Sequence, residues 1–458
     1  MAATQSRRQA ELPAYTASGQ LRRTLTTFLG VRLAPAARLC VGLSGGRDSV
    51  VLLHALGQLR EQGIFGSLTA VHVDHGLSAK ASSWAGFCTD FCRQQDVPLE
   101  IARIKVPRGD AEGLEAAARR ARHSVFASCR ADWLALAHHQ DDQAETILFR
   151  LLRGAGVSGA AGMPAERPLA DGLRLIRPLL DTPRALIAGY AAENSLAWVE
   201  DESNADCRYR RNHLRCAVLP RIEEAFPAAA RTLARAGAHF AEAARLLDQL
   251  AQTDRLTVVG AGGRIDLARF NALPAMRARN LLRCELMAAG WRAPEARWLD
   301  EALRQLATAS DDSQTCIATL DGEVHVYRRQ IHVCGRRRPL PAAALAWRGE
   351  ARLAWGDLWL SFLPTVGAGI SRRLLVGTHV GVRTRQGGER LQVDAGRPRR
   401  TLAKLLQEAG VPPWERVCLP LLWSDDRLVW VGGIGVDASF ACADGEAGIV
   451  IACSSSVN

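Results

Sequence analysis

The sequence predicts an α/β fold: a parallel-sheet domain first, then a mainly helical middle domain and a small α+β C-terminal domain. Three observations predict it. Between residues 38 and 153, short apolar runs alternate with longer segments of helical period, the pattern of a parallel sheet covered by helices. From about 225 to 307 the chain is rich in alanine, leucine and arginine at helical spacing. After Arg336-Arg337-Arg338-Pro339-Leu340-Pro341 the pattern breaks and a different, strand-rich composition follows. The domains are therefore drawn as residues 1–220, 221–335 and 351–458, with a linker at 336–350.

Taken in order, residues 1–20 are polar, and Leu21–Leu33 reads as a leading helix. Leu39–Leu43 is a buried strand, and Val50 to Leu59 carries the apolar positions of a helix. Leu68–Val73 is the second strand and Ser82–Cys92 a helix; Leu99–Val106 is the third strand and Glu112–Cys129 a helix. Trp133–Ala137 is the fourth strand, Asp142–Arg153 a helix, and Arg174–Leu180 a closing strand. Residues 313–334 read as a β-ribbon turned at Asp321-Gly322. In the tail a helix runs to Glu408 and stops at Gly410.

A parallel sheet binds its ligands beyond the C-terminal ends of its strands, and the chemistry-bearing residues stand there. The first strand runs into Ser44-Gly45-Gly46-Arg47-Asp48-Ser49. Two glycines allow a tight turn. Free N–H groups, the positive helix end and two hydroxyls then converge on one point, an anion cradle suited to phosphate. It is not a Walker A loop, since no Gly-x-x-x-x-Gly-Lys-Ser/Thr occurs. After the second strand come His72, Asp74, His75, Gly76 and Leu77; after the fourth come His138, His139, Asp141, Asp142 and Glu145. Asp142 and Glu145, at i and i+3, share a helix face opposite the stripe of Ile147, Leu148, Leu151 and Leu152. One such carboxylate serves as a cap. Two beside two histidines exceed that need, and can hold Mg²⁺ or accept a proton.

The formal charge of +11, with 48% hydrophobic residues, describes a well-cored chain with a polyanionic partner, nucleic acid first. Only three of the cations are lysines, Lys80, Lys105 and Lys404. Arginine's fork suits bidentate phosphate contact. In the tail, Arg383, Arg385, Arg390, Arg399, Arg400 and Lys404 lie near Trp414, a set suited to phosphate and base contact. Cys88 and Cys92 stand one helical turn apart with no second pair to complete a zinc site, and no C-x-x-C occurs. Nothing reads as a signal peptide or membrane span, so the cytoplasm is expected.

The Ser44–Ser49 loop resembles the pyrophosphate loop of the ATP pyrophosphatases. With His72–Leu77, Ala137–Thr146, Arg153–Gly156, Arg177–Leu180, Asp201–Asn204 and Arg211-Asn212 in this order, and Gln386–Gly388 and Gly410–Trp414 in the tail, the chain resembles the tRNA(Ile)-lysidine synthetases. Arg47, in place of an uncharged loop residue, and Lys80, in place of an arginine, depart from that pattern. The resemblance implies an N-type ATP pyrophosphatase (adenine nucleotide α-hydrolase-like) fold and a ligase using ATP and Mg²⁺. Its partners would be a tRNA(Ile) with a CAU anticodon and free L-lysine, with a homodimer left open. ATP would adenylate O2 of the wobble cytidine, and the lysine ε-amine would displace AMP at C2 to give lysidine. Ser44, Gly45, Gly46, Arg47, Asp48, Ser49 and His75 would then bind ATP. Asp48 and Asp142 would hold Mg²⁺, and Asp142 or Glu145 would deprotonate lysine. Arg119, Arg122, Asp201, Asn204, Arg208 and Arg211 would serve the substrates. A tRNA thiolase sharing the loop, or a non-catalytic tRNA-binding protein, are the alternatives.

Overall fold

The computed structural model describes residues 16–76, 80–104, 114–200, 210–260, 262–309, 315–336, 338–341 and 343–455. They divide into two compact units, with the boundary between residues 247 and 248.

The first unit begins with α1 (Ala17–Gly30), earlier than the apolar spacing alone predicts. Thr16 caps it, its Oγ1 accepting from Gly19 N at 3.0 Å, and both Glu193 carboxylate oxygens accept from the Ala17 and Ser18 amides at 2.8 Å. These side chains satisfy N–H groups that a helix start otherwise leaves unpaired. β1 (Arg38–Gly42), α2 (Arg47–Glu61), β2 (Ser67–Asp74), α3 (Ala81–Gln94), β3 (Leu99–Arg103), α4 (Leu114–Ala127), β4 (Trp133–Ala135) and α5 (Gln140–Leu151) follow in the expected alternation. A short α6 (Val157–Ala160) leads to β5 (Glu166–Ala170) and β6 (Leu173–Ile176). The sheet order is β3-β2-β1-β4-β6-β5, parallel except for the antiparallel β5–β6 pair at one edge. The closing strand is thus shorter than Arg174–Leu180: the chain leaves the sheet at Arg177, where the Leu180 amide bonds back to the Arg177 carbonyl.

α2 packs at the centre of this unit, with Val50 to Leu53, Leu56 and Leu59 fully buried beside Leu39, Val41, Leu25 and Leu29. Burial of such a side chain contributes roughly 1.5–3 kcal/mol, so the segment that opens at the glycine loop is anchored along its whole length. α7 (Arg184–Glu193) covers α1 and α2. α8 (Arg210–His213) then runs through a π-helical turn, Leu214–Val218, into α9 (Leu219–Ala225). α10 (Ala229–Val258) contains the boundary between the units.

In the second unit, β7 (Ile265–Asp266), α11 (Leu267–Asn271), α12 (Ala275–Ala288) and α13 (Ala296–Thr308) precede β8 (Cys316–Ala318), β9 (Gly322–Tyr327) and β10 (Gln330–Gly335). The predicted ribbon forms here, extended by β7 into a sheet of order β7-β10-β9-β8. Ile317, Val324, Val326 and Ile331 point into a core with Leu281, Leu286, Leu299 and Leu306. The tail forms three further antiparallel sheets, the smallest pairing Arg390–Leu391 with Arg400–Thr401. Of the other two, one carries strands 380–383, 421–424 and 427–431; in the second, 447–455 pairs along the full length of 358–366. The predicted helix spans Leu402–Glu408, and Gly410 follows it at φ +72°.

Candidate active site

The loop from β1 to α2 is held by its own hydroxyls. Ser49 Oγ donates to Gly46 O at 2.8 Å and accepts from Ser44 N at 3.2 Å, while Ser44 Oγ accepts from Gly46 N at 3.3 Å. Gly45 adopts φ +86°, and a Cβ there would lie 2.8 Å from Val199 Cγ2 and 3.2 Å from Cys88 Sγ. A side chain is therefore excluded twice, by backbone sterics and by the wall behind the loop. We expect Gly45→Ala to destabilise the protein by at least ~1–2 kcal/mol. Urea unfolding monitored by circular dichroism checks this, and an unchanged midpoint would contradict it.

At the mouth of the loop, Asp48 lies in the first turn of α2 and Arg47 Nε donates to its Oδ1 at 3.2 Å. Arg47, the unusual loop residue, is thus a partner of the carboxylate beside it. His139, the N-cap of α5, is 5% exposed. Its Nε2 stands 3.5 Å from both Asp48 Oδ2 and Asp142 Oδ2, and its Nδ1 lies 3.6 Å from Asp141 Oδ2. Burial opposes its charge, but the Asp141, Asp48 and Asp142 carboxylates prevail and raise it to about 10. Burial likewise opposes ionisation of Asp48, yet His139 and Arg47 hold its carboxyl below the usual value. An imidazolium therefore sits among three carboxylates.

Asp142 and Glu145 share the predicted face of α5. Asp142 Oδ2 accepts from the His139 amide at 3.1 Å, a capping bond, while Oδ1 accepts from Arg215 at 3.0 Å. Glu145, 2% exposed, takes a two-pronged bond from Arg215, at 2.5 Å from Nε and 2.9 Å from a terminal nitrogen. Arg211 stands 3.5 Å from the same carboxylate and donates to Thr146 Oγ1 at 3.1 Å. Arg215 was not among the residues picked from the sequence. The signal for it was its position four residues after Arg211, and it lies in the π-helical turn, a feature often found at functional sites.

His72 lies within β2, not after it, and its ring Nδ1 bonds the Leu43 carbonyl at 2.9 Å, which ties β1's end to β2. His75 follows β2, and burial and then Arg122 hold it below the ordinary histidine value. Leu77 lies outside the described residues, as do Asp201, Asn204 and Arg208. Arg119 and Arg122 lie on the exposed side of α4. Arg119 faces a group the sequence reading did not assemble: Arg150, Arg167 and Arg177. Burial, then Arg167, Arg119 and Arg150, lower Arg177 to about 10. Arg177 keeps a bond to Pro164 O at 2.7 Å, and Arg150 bonds the Gly159 and Gly162 carbonyls at 3.0 and 2.7 Å. The result is a concentration of positive charge on this unit.

In the tail the predicted cations are mostly engaged within the chain. Arg383 stacks 3.7 Å over the Trp423 ring, Arg385 pairs with Glu389 at 3.3 Å, and Arg390 bonds the Arg399 carbonyl at 3.1 Å. Arg399 pairs with the fully buried Asp437 at 3.0 Å, Arg400 grips Glu408, and Lys404 is exposed. Trp414 lies flat on His325, with ring centroids 3.9 Å apart, and edge-on to Tyr327 and His332. It packs against the β9–β10 hairpin.

Residues 17–222 match the PP-loop domain family, 265–332 the TilS substrate binding domain and 380–453 the TilS substrate C-terminal domain. A tRNA(Ile)-lysidine synthase of Nitrosomonas europaea is 44% identical over 93% of this chain and 93% of its own length. The chain belongs to the tRNA(Ile)-lysidine synthase family. Relatives of the same name from Azoarcus sp. and Aromatoleum aromaticum are 44% and 45% identical, over 91% and 93% of this chain and 92% and 99% of theirs. The family's three matched domains span both compact units, and the cradle and the Asp142–Glu145 face both lie in the PP-loop match. Among the described residues no helix is long and apolar enough to cross a membrane.

Proposed function

We propose that this chain joins the ε-amine of free L-lysine to C2 of the wobble cytidine of a tRNA(Ile) with a CAU anticodon, through an adenylated cytidine. One observation carries the reading: His139 links the Asp48 end of the anion cradle to Asp142, beside Glu145, so a phosphate site and an amine site adjoin. The relatives' shared name and the pyrophosphate-loop match support the same activity.

In the first half, the cytidine O2 attacks the α-phosphorus of ATP and the bond to pyrophosphate breaks. The loop N–H groups with Ser44 and Ser49 receive the charge that grows on the departing pyrophosphate. Asp48 and Asp142, the two carboxylates that His139 Nε2 meets at 3.5 Å, would hold Mg²⁺ in place of the imidazolium charge they now share, and the ion would neutralise phosphate charge. The positive charge of Arg119, Arg150 and Arg167, backed by the buried Arg177, would draw in the tRNA backbone, with the exposed Arg122 on the same helix as Arg119. In the second half, lysine's ammonium (pKa ~10.4 in water) takes a place beside Asp142 and Glu145, competing with Arg215 for their oxygens. A carboxylate accepts one proton, the freed amine attacks C2, and the C2–O bond to AMP breaks. The described cysteines are all free thiols, which suits the reducing cytoplasm.

The test is mass analysis of the wobble nucleoside after incubation with tRNA, ATP and isotopically labelled lysine. The expected product carries the lysine label, with one AMP and one pyrophosphate per lysine joined. Pyrophosphate release that requires a sulfur donor in place of lysine would overturn the reading in favour of a thiolase. No ATP turnover would favour a binding protein.

A further inference from the structure

The β8–β9–β10 sheet has one apolar face, turned to the helices, and one face with an unusual set of side chains. Cys316 on β8 pairs in register with His325 on β9. Glu323 lies two residues before His325, on the same side of the strand, and pairs with Cys334 on β10. The ligand atoms of Cys316, Glu323 and His325 all fall within 4.8 Å of one another. His325 Nε2 already meets Glu323 Oε2 at 2.7 Å. The imidazole is not free to turn away, because Trp414 lies parallel to it at 3.9 Å, with 8° between the planes.

We propose that Cys316, Glu323 and His325 form a zinc-type divalent metal site on the outer face of this hairpin, with the fourth position open to water. Zinc bonds of 2.0–2.3 Å place tetrahedral donors about 3.3–3.8 Å apart, so the widest pair, within 4.8 Å, needs to close by roughly an ångström while the His325–Glu323 pair, now at 2.7 Å, opens by somewhat less as the ion replaces their hydrogen bond. One thiolate, one imidazole and one carboxylate form a donor set that zinc accepts and magnesium does not. Burial, Glu323 and then Cys334 hold the Cys316 thiol above its ordinary value. A cation bound here reverses that balance by stabilising the thiolate. The ion fastens β8, the edge strand, to β9, and locks the ring on which Trp414 rests. All three ligands belong to one sheet of the second unit, where the ion would tie its strands together, a structural role.

The experiment uses tag-free full-length protein, reduced, loaded with zinc and freed of excess metal. Metal content is then measured with a competing chelator, and cobalt replaces zinc as a spectroscopic probe. We expect one zinc per chain, a thiolate-to-cobalt charge-transfer band, and a thermal midpoint that rises with zinc. Cys316→Ser and Glu323→Gln should each weaken binding by at least ~10-fold, with the cobalt band lost in Cys316→Ser. Cys453→Ser, at an exposed cysteine on another sheet, should bind as the unaltered chain does. Substoichiometric zinc, no thiolate band, or equal affinity in Cys316→Ser would overturn the proposal. The triad would then be a His–Glu hydrogen bond beside a bystander thiol.

Discussion

Replacing Asp48 with alanine is expected to lower ATP-dependent pyrophosphate release on tRNA by at least ~10²–10³-fold, the usual loss when one preorganised polar group leaves a charge-stabilising site. Three consequences combine at this position. Asp48, in the proposed mechanism, would offer oxygens to a cation at the mouth of the cradle. It is one of the three carboxylates that surround the buried His139 imidazolium, and it is the partner of Arg47. Without it, two positive groups face the phosphates with one counter-charge fewer, and their geometry relaxes. The fold itself should survive, because the Asp48 side chain is about a third exposed and the apolar face of α2 is untouched. A thermal midpoint near that of the parent would confirm a folded variant. Full activity in such a variant would remove Asp48 from the mechanism.

The second large effect is expected at Glu145. Glu145→Gln keeps size and loses the charge that can hold an ammonium or take its proton. Lysine incorporation should fall ~10²–10⁴-fold, the range for loss of a general base. Tritiated lysine and single-turnover sampling measure it. The adenylation half should persist, so a pyrophosphate burst without lysine joining is the distinguishing result; equal loss of both halves would contradict the assignment. Some stability goes too, because Arg215 loses an ionic partner. The cost should be below the ~3–5 kcal/mol of a fully buried pair, since Arg215 reaches solvent while Glu145 does not.

Much of the catalytic fold was legible from local pattern. Leu39–Leu43, Leu68–Val73 and Trp133–Ala137 are apolar runs too short for helices, each followed by a helical period, and each forms a parallel strand; the motif lies beyond the first and fourth strands, while at the second it begins inside the strand, at His72. β5 was not legible because Glu166-Arg167-Pro168 reads as loop. Proline is tolerated in a strand only where the sheet ends, and β5 is an edge strand. At the site, the pairing of Asp142 with Glu145 follows from helical arithmetic. The position of His139 among Asp48, Asp141 and Asp142 does not, because it depends on two strand ends lying side by side. Arg215 and the Arg150–Arg167–Arg177 group are also products of tertiary folding: each arginine, taken alone, is one of many on a basic chain.

Trp414 is the clearest case of local composition pointing one way and packing another. An indole amid arginines reads as a surface for nucleic-acid bases. Here its broad face is taken by His325 and its edges by Tyr327 and His332, while Arg416 donates to Tyr327 and Arg328 to the Gln407 carbonyl. The basic tail and the β9–β10 hairpin are thus joined by one stacked ring pair and two arginine hydrogen bonds. A side chain lost from either side of that seam takes packing from both, so Trp414 belongs to the hairpin's stability as much as to the tail's.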